Sequence, residues 1–264
     1  MTRLPLFVSV AARFVAHEPR RRDGARLAVA TLILWTRHRL RREGRPLRLA
    51  ATVDGRRVTF IAWTYIDMLV AREIFLDRDY RLPPGLAPGT IVDLGAGTGI
   101  SVRFLRALCP GAAIVAAEPD PSNFGRLVAS TSRDKATQLV QAAVAPDRGR
   151  ATFYAEAEGW GSSLEPREDA RAVDVELVTV PDLVARVGGQ RVDLLKVDIE
   201  GGEWPLLEAG VLQAASDCLI GELHFGDRHT LADAKRLLAD FDVTIREKGG
   251  TIATFTARRG HRGP

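Results

Sequence analysis

Residues 90–99 read TIVDLGAGTG, a short run of β-forming residues that leads into three closely spaced glycines. A segment with helical spacing, residues 100–108, follows directly. Glycines at a strand-to-helix turn let the chain bend sharply and let a ligand lie against bare backbone. The first N–H groups of the following helix are also free to bind a ligand. The predicted cofactor contacts of this loop are Gly95, Ala96, Gly97 and Gly99.

The glycine spacing and two nearby acids narrow the choice of ligand. A dinucleotide fingerprint has the form G-x-G-x-x-G, whereas this loop has G-x-G-x-G and carries Ile100 at the sixth position. Asp93 would repel a pyrophosphate but suits the ammonium and sulfonium groups of S-adenosylmethionine. Glu118, 19 residues after Gly99, ends an apolar run and can accept both hydroxyls of a ribose. We therefore predict S-adenosylmethionine as the cofactor, with Asp93 and Glu118 among its contacts.

From residue 90 onward, predicted strands and helices alternate, which implies a parallel sheet with right-handed crossovers. Gly249-Gly250 joins the last two predicted strands, and so tight a turn can pair them only in antiparallel orientation. The predicted fold class is α/β, a Rossmann-like, mostly parallel sheet with an antiparallel C-terminal hairpin. The third predicted strand spans residues 138–144, and its end, Gln141–Val144, is the expected wall of an adenine pocket, with Ala143 as the predicted contact.

The chain ahead of this sheet is predicted to be a helical and β-hairpin extension. Residues 6–42 read as helical with a break near Pro19, and residues 63–76 read as a second helical region. Asp54-Gly55 stands between two alternating runs, a strong signal for a β-hairpin. The sequence is therefore divided into a basic helical segment, a hairpin and helix extension, and a catalytic domain, which span residues 1–46, 47–88 and 89–258.

Three further motifs follow the glycine loop: EPDPSNF at residues 118–124, GSSL at residues 161–164 and LKVDIEGGE at residues 195–203. Their order resembles that of FkbM-family methyltransferases. The resemblance implies a class I S-adenosylmethionine-dependent methyltransferase that methylates hydroxyl oxygens of natural products, sugars and related small molecules. It adds Pro119 and Asn123 to the predicted cofactor contacts. The glycine loop and the basic N-terminal helix depart from the family pattern.

Methyl transfer to a hydroxyl requires alignment of the acceptor and removal of its proton. Asp198, Glu200 and Glu203 follow the strand that ends at Val197, so three acids meet at one strand end. They are interpreted as groups that orient the cofactor ammonium and the acceptor, as ligands of a divalent cation, or as caps of the next helix. Asp198 and Glu200 are the predicted catalytic residues, Asp198 is also a predicted cofactor contact, and Glu203 fits a structural role best.

His224 ends another apolar strand and is the predicted general base, because an imidazole titrates near neutral pH. The alternative is that His224 is a hydrogen-bonded structural residue. Trp160, next to the GSSL motif, is interpreted either as a stacking surface for the substrate or as a packed aromatic side chain. No metal ligand is assigned, and Cys109 and Cys218 lack the spacing of a zinc site.

The first 50 residues carry twelve arginines and no lysine against three acids, although the net charge of the chain is only +4. This segment is interpreted as a helix packed on the core, as a contact for an anionic membrane surface or an acidic partner, or as a nucleic-acid contact. The last is disfavoured because interleaved aromatic residues are missing. The longest clean apolar run, residues 27–35, is far shorter than the roughly 20 residues of a membrane span. A cytoplasmic protein is expected, with residues 1–50 as the candidate contact with the inner face of a membrane.

Two other functions remain as alternatives to a methyltransferase acting on a small-molecule acceptor. The first is an NAD(P)-dependent oxidoreductase, which Ile100 and the antiparallel hairpin disfavour. The second is a protein that binds S-adenosylmethionine without catalysis, which would bind the cofactor but form no S-adenosylhomocysteine.

Overall fold

The computed structural model describes residues 5–156, 163–164 and 170–260. Its helices are α1 (Leu6–His17), α2 (Arg21–Arg39), α3 (Tyr65–Arg72), α4 (Ile100–Leu108), α5 (Pro121–Thr131), α6 (Val180–Ala185), α7 (Glu203–Glu208), α8 (Val211–Ala215) and α9 (Leu231–Leu237). Its strands are β1 (Leu47–Val53), β2 (Arg56–Ala62), β3 (Thr90–Leu94), β4 (Ala113–Ala117), β5 (Thr137–Val140), β6 (Ala143–Val144), β7 (Gly149–Ala155), β8 (Arg171–Val178), β9 (Leu194–Val197), β10 (Cys218–His224), β11 (Phe241–Gly249) and β12 (Ile252–Arg259).

Within the described residues, the main sheet has seven strands in the order β11-β12-β10-β9-β3-β4-β5. The five strands from β10 to β5 are parallel, and β12 pairs antiparallel with both β10 and β11. The predicted Rossmann-like α/β fold with an antiparallel C-terminal hairpin is therefore confirmed. β3 lies between β4 and β9, so the chain leaves in opposite directions on its two sides, and sheets of this type bind ligands at such a point.

The predicted third strand, residues 138–144, is divided in the structure. β5 ends at Val140 in the main sheet, and Ala143 and Val144 instead pair in parallel with Leu177 and Val178 of β8. With β7 these strands form a separate three-stranded sheet in the order β6-β8-β7. The prediction of one continuous strand was wrong, because the backbone of Ala143 and Val144 forms its hydrogen bonds in this second sheet.

The N-terminal extension forms two helices and a hairpin, with α1 and α2 separated close to Pro19 as expected. β1 and β2 pair antiparallel across Asp54-Gly55. The predicted helix 63–76 begins later, at Tyr65, where the Asp67 carboxylate accepts the backbone N–H of Thr64 at 2.8 Å. It continues as a wide π-helical turn, Glu73–Asp77, in which Glu73 lies 3.7 Å from Lys248 of β11 and Asp77 lies 2.5 Å from Arg13 of α1.

One hydrophobic core unites these parts. Val10 of α1, Leu27 of α2 and Met68 of α3 belong to the same buried cluster as Ile91 of β3 and Phe104 of α4. A second cluster covers the other face of the main sheet, around Trp204. The three sequence segments therefore share packing on one face of the sheet, and the extension positions α3 over the carboxyl ends of its strands.

No helix in the described ranges combines the length and the apolar character needed to cross a bilayer.

Candidate active site

A cavity of about 280 Å³ lies at the carboxyl ends of β3, β4, β9 and β10, under α3. The glycine loop and Glu118 line one end, together with Pro119 and Asn123. Asp198, Glu200 and Glu222 line the other end. The structure thus brings residues that are separated by more than a hundred positions in the sequence to the two ends of one space.

Backbone geometry requires glycine in the loop after β3. Gly95 has φ +76°, and a Cβ there would lie 1.8 Å from the carbonyl oxygen of Asp198. Gly95, Ala96 and Gly97 line the cavity. Gly99 instead packs against α5, because a Cβ there would lie 2.9 Å from Leu127 Cδ1. The third glycine of the motif therefore serves the contact between α4 and α5.

Glu118 is the acid at the glycine end of the cavity, and its residue is only 5% exposed. Its Oε2 accepts the backbone N–H of Gly97 at 2.9 Å, and its Oε1 accepts that of Asp120 at 3.0 Å. Burial raises the pKa of Glu118 to about 7, against the opposing effect of the two backbone donors. A ligand that donates hydroxyl hydrogens to this carboxylate would satisfy a buried acceptor.

Asp93 lies behind the glycine loop and is fully buried. Its carboxylate lies 3.0 Å from Lys196 Nζ and accepts the hydroxyl hydrogen of Ser101 at 2.6 Å. Lys196 in turn lines the cavity and donates to the carbonyl oxygen of Gly95 at 2.6 Å. The structure therefore gives Asp93 a supporting position, in contrast to the direct ligand contact predicted from the sequence.

Lys196 remains charged in this buried setting. Burial lowers the pKa of Lys196, but the negative charges of Asp93 and Asp198 outweigh burial and raise it overall. The ammonium fixes the loop through the Gly95 carbonyl, so its charge and the loop conformation are coupled. Lys196 belongs to the LKVDIEGGE motif, but the sequence does not predict its contact with Asp93 on the neighbouring strand β3.

Three further predicted cofactor contacts, Pro119, Asn123 and Ala143, line the cavity at the glycine end. Ala143 lines the cavity beside Ala142 and Val144. These residues, which were expected to form the wall of an adenine pocket at the end of the third strand, lie at the break between β5 and β6. Asp120 begins α5 and accepts the N–H of Asn123 at 2.8 Å. The residues of the EPDPSNF motif are thereby held in one orientation beside Glu118.

Asp198 lies at the opposite end, directly after β9. Its Oδ2 accepts the hydroxyl hydrogen of Tyr80 at 2.5 Å and lies 3.9 Å from Lys196 Nζ. Burial raises the pKa of Asp198, but Lys196, His224, the Tyr80 hydrogen bond and Lys248 lower it overall. Asp198 is therefore ionised at neutral pH and suits the binding of a cation.

The turn after Asp198 has a strained backbone. Glu200 has φ +54°, a left-handed conformation that non-glycine residues adopt at a cost of roughly 1–2 kcal/mol. Glu203 is fully buried and accepts the N–H groups of Ile199 at 2.9 Å and Gly201 at 2.9 Å. The structural role expected for Glu203 is confirmed, because its carboxylate binds the residues on either side of Glu200 and so holds Glu200 at the cavity wall. Strained backbone conformations of this kind are concentrated at functional sites.

His224 lies beside this turn, away from the cavity lining. Its Nδ1 is 3.1 Å from Glu203 Oε1, and its Nε2 is 3.6 Å from Glu200 Oε2. Burial lowers the pKa of His224, but Glu203, Asp198 and Glu200 outweigh this effect and raise it to about 10. An imidazolium at neutral pH has no lone pair to accept a proton, so the structure argues against His224 as the general base.

Glu222, two residues earlier on β10, was not among the predicted site residues. It lines the cavity, and its Oε1 lies 2.9 Å from Lys248 Nζ. Lys248 also donates to Asp79 at 2.7 Å and lies 3.7 Å from Glu73. Burial and the charge of Asp198 raise the pKa of Glu222 to about 7, against the opposing effect of Lys248.

Two groups of three side chains here lie close enough to share a cation: Asp198, Glu222 and His224, and Glu73, Asp79 and Glu222. A cation of the chain itself already lies in each group. His224 is protonated in the first, and Lys248 contacts the carboxylates of the second. The divalent-cation interpretation of this strand end therefore competes with the chain's own positive charges.

Sequence reasoning missed Glu73, Asp79, Tyr80 and Lys248 because no local motif marks them. Glu73 lies in the π-helical turn after α3, Asp79 and Tyr80 lie in the connector that follows this turn, and Lys248 lies on β11. Only the tertiary fold brings them to β10. The GSSL motif is partly visible, since Ser163 and Leu164 line the cavity, whereas Gly161, Ser162 and Trp160 lie outside the described residues.

The chain is similar to known proteins. Residues 93–242 match the Methyltransferase FkbM domain, a range that contains every predicted site residue and also Glu222. The chain is 33% identical over 177 residues to 31-O-demethyl-FK506 methyltransferase FkbM of Streptomyces tacrolimicus, which covers 54% of this chain and 68% of that protein. It is 26% identical over 192 residues to methyltransferase sdnD of Sordaria araneosa, which covers 59% of this chain and 74% of that protein.

Among solved structures, the fibrillarin pre-rRNA processing protein of Methanococcus jannaschii matches with a TM-score of 0.47 at 11% identity. The match covers 81% of this chain and 89% of that chain.

Proposed function

Because the chain belongs to the FkbM methyltransferase family, we propose that it transfers the methyl group of S-adenosylmethionine to a hydroxyl oxygen of a small molecule. One observation carries this proposal. A single cavity has the buried carboxylate of Glu118 and bare loop backbone at one end, and the carboxylates of Asp198 and Glu222 at the other. The first end suits a nucleoside, and the second suits a cation and a reacting hydroxyl.

The residues at the first end fit the cofactor. Glu118 would accept the ribose hydroxyls, the loop Gly95–Gly97 would face the amino-acid part, and Ala142–Val144 would lie against the adenine. Pro119 and Asn123 would complete this wall. Asp198, ionised and at the cavity surface, is suited to the cofactor's ammonium. When bound, S-adenosylmethionine would supply a methyl group on a sulfonium, and the acceptor oxygen would bond to this methyl carbon in line while S-adenosylhomocysteine leaves as a thioether.

Glu222 is the group proposed to take the proton of the acceptor hydroxyl. Its pKa of about 7 leaves a large fraction ionised at neutral pH while keeping the carboxylate basic enough to accept a proton. Asp198 lies nearby with its position fixed by Tyr80. Glu200 is proposed to orient the acceptor from the cavity wall, and the imidazolium of His224 to hold Glu200 in place.

The acceptor class rests on chemistry and on a relative. Carboxylates outnumber cations at the end of the cavity near Glu222, which favours neutral or cationic acceptors over phosphates and carboxylic acids. The name of the relative from Streptomyces tacrolimicus, 31-O-demethyl-FK506 methyltransferase, gives an acceptor that lacks a methyl group on an oxygen. We extend from that protein to this chain only the class, a hydroxyl of an uncharged natural product or sugar.

The test is a methyl-transfer assay with the purified full chain. The chain is incubated with S-adenosylmethionine carrying a labelled methyl group and with 31-O-demethyl-FK506 or a set of neutral polyols and glycosides. S-adenosylhomocysteine and a product with one added labelled methyl on oxygen are expected, measured by mass spectrometry. Binding of S-adenosylmethionine by calorimetry without any S-adenosylhomocysteine across all acceptors would favour the non-catalytic alternative and contradict the proposal.

A further inference from the structure

Helix α2 is apolar on both of its sides. Leu27, Ala30 and Leu34 are buried and pack into the core. On the opposite side, Val29 is 57% exposed and Leu32 is 49% exposed. The core explains the first side, but nothing within the described fold covers the second.

Val29, Leu32, Ile33 and Leu40, the last directly after the end of α2, are the exposed large apolar side chains of this region and are here called the outer stripe. Their spacing of three, four and eleven residues from Val29 places them on the same face of a helix with 3.6 residues per turn. At 1.5 Å per residue the stripe is roughly 16 Å long. Scattered single apolar residues on a surface are ordinary, whereas an aligned set on one helix indicates an interaction surface.

Arginines border the outer stripe at both of its ends. Arg22 and Arg26 lie exposed toward its beginning, and Arg39, Arg41 and Arg42 lie exposed at its end. Long arginine side chains at such positions can keep their guanidinium groups in water while their stems cover apolar surface. The stripe is therefore a narrow apolar surface inside a strongly positive border.

The acids of this segment do little to neutralise that border. Glu18 accepts the backbone N–H of Thr52 at 2.7 Å, and Asp23 pairs with Arg57 at 2.5 Å. Both carboxylates are thus engaged on the inner side of the extension, and Glu43 is the remaining acid of the first 50 residues. An occupant of the outer stripe has to bring its own negative charge.

We propose that the outer stripe and its arginines dock the chain on an anionic lipid surface, with α2 lying in the plane of the headgroups. An amphipathic face with aliphatic residues between arginines is the pattern of interfacial helices, and anionic headgroups supply the matching charge. A second copy of the chain would set arginines against arginines, which opposes self-association through this face. The surface is a convex single helix that a fluid headgroup layer can surround.

Docking through α2 would also set the position of the active-site cavity relative to the lipid surface. α2 packs on α3, and Ile66, Asp67 and Val70 of α3 line the cavity. The cavity therefore lies one helix away from the docked face. The docking surface itself uses none of the residues proposed for methyl transfer, so the two proposals stand or fall separately.

The test is flotation of the full chain with vesicles of phosphatidylcholine alone or mixed with phosphatidylglycerol. Flotation with the mixed vesicles, weakened by salt, is expected, because headgroup charge attracts the arginines. Replacement of Val29, Leu32 and Ile33 together by Gln should reduce binding at least tenfold. Arg22→Gln with Arg26→Gln should reduce it roughly 25-fold, since each arginine near an anionic surface contributes about a fivefold change. Val128→Gln, a 44% exposed valine on α5, is the matched control and should bind as the unmodified chain does.

Three results would overturn the docking proposal. One is absence of flotation with the anionic vesicles, which would leave an acidic protein as the occupant. Another is flotation that survives both sets of substitutions, which would place membrane contact elsewhere. The third is a dimer, seen by light scattering, that the triple substitution dissociates, because the occupant would then be a second copy. All variants should bind S-adenosylhomocysteine with equal affinity in calorimetry. A failure of the docking proposal can therefore be distinguished from a failure of the proposed methyl transfer.

Discussion

The two ends of the cavity are built on different principles. At the glycine end, Glu118 is held by two backbone N–H groups, from Gly97 and Asp120. At the far end, Glu222 is held by an ammonium, that of Lys248, which it shares with Asp79. The position of the Glu118 carboxylate is therefore set by the backbone, whereas the pKa of Glu222 is set in part by the charges of neighbouring side chains.

This difference separates binding from proton transfer. The pKa values of Glu118 and Glu222 are both raised to about 7, and burial is the main cause for each. Backbone donors do not titrate, so they hold the Glu118 carboxyl group in one position where a bound diol can donate to it. Glu222 is tuned by Asp198 and Lys248, so its proton affinity responds to changes in these side chains. Substitutions at the two ends should therefore affect different measured quantities.

Loss of the proposed base should have the largest effect. Glu222→Gln keeps the shape of the side chain but removes the proton acceptor, so turnover should fall by about 10²–10⁴-fold. Affinity for S-adenosylhomocysteine should change little. Steady-state kinetics with calorimetry on the same samples measures both, and Glu247→Gln, at an exposed position of β11, is the control. A Glu222→Gln variant with full turnover would end the assignment.

Loss of the ribose acceptor should act on binding. Glu118→Ala removes hydrogen bonds to a charged carboxylate, and a single such bond contributes about 1.5–3 kcal/mol, so affinity for S-adenosylhomocysteine should fall by at least about tenfold. Titration calorimetry is the measurement. Glu176→Ala, at an exposed position of β8, should bind with unchanged affinity. Equal affinity of the Glu118 variant and the unmodified chain would mean that the ligand does not lie against this carboxylate.

His224 should contribute to stability in a pH-dependent way. Its pKa is raised from 6.5 to about 10 on folding, so its contribution is complete below about pH 6.5 and is lost as pH rises through about 10. His224→Gln should therefore lower the free energy of unfolding by about 1–3 kcal/mol near pH 6 and by much less above about pH 10. Urea unfolding at both pH values tests this, with the exposed His17→Gln as control. A constant difference between variant and unmodified chain would show that the imidazolium is not the stabilising form.

Lys248 should have the smallest effect, a change in pH dependence. The rate should rise with pH through about 7 as Glu222 ionises. Lys248→Met removes a charge that lowers the pKa of Glu222, so this rise should move to higher pH and the rate at neutral pH should fall severalfold. A pH–rate profile measures the shift. An unmoved profile would mean that another group controls the rate.

The sequence predicts the glycine end well because its signals are local. β3 and α4 have the predicted bounds, since a β-forming run, three glycines and a helical period follow one another without interruption. Glu118 comes at the end of the next strand, and parallel order brings it to the same edge. The chain's departure from the main sheet after Val140 leaves no comparable pattern, because it depends on pairing with β8.

The far end could not be predicted in the same way, because the protonation states and contacts of its side chains depend on residues that are distant in the sequence. His224 was expected to be a base from its intrinsic pKa, but the carboxylates of Glu203 and Glu200 hold it protonated. Asp93 was expected at the ligand, but Lys196, on a neighbouring strand, takes its carboxylate. Lys248 reaches Glu222 only because β11 and β10 flank the same strand of the sheet.

A crystal structure of the chain with S-adenosylhomocysteine would test the central claim most directly. We expect the ribose hydroxyls within hydrogen-bonding distance of the Glu118 carboxylate and the sulfur directed toward Asp198 and Glu222. A ligand bound in the reverse direction, or one that leaves Glu118 without contact, would contradict the division of the cavity into a binding end and a reacting end.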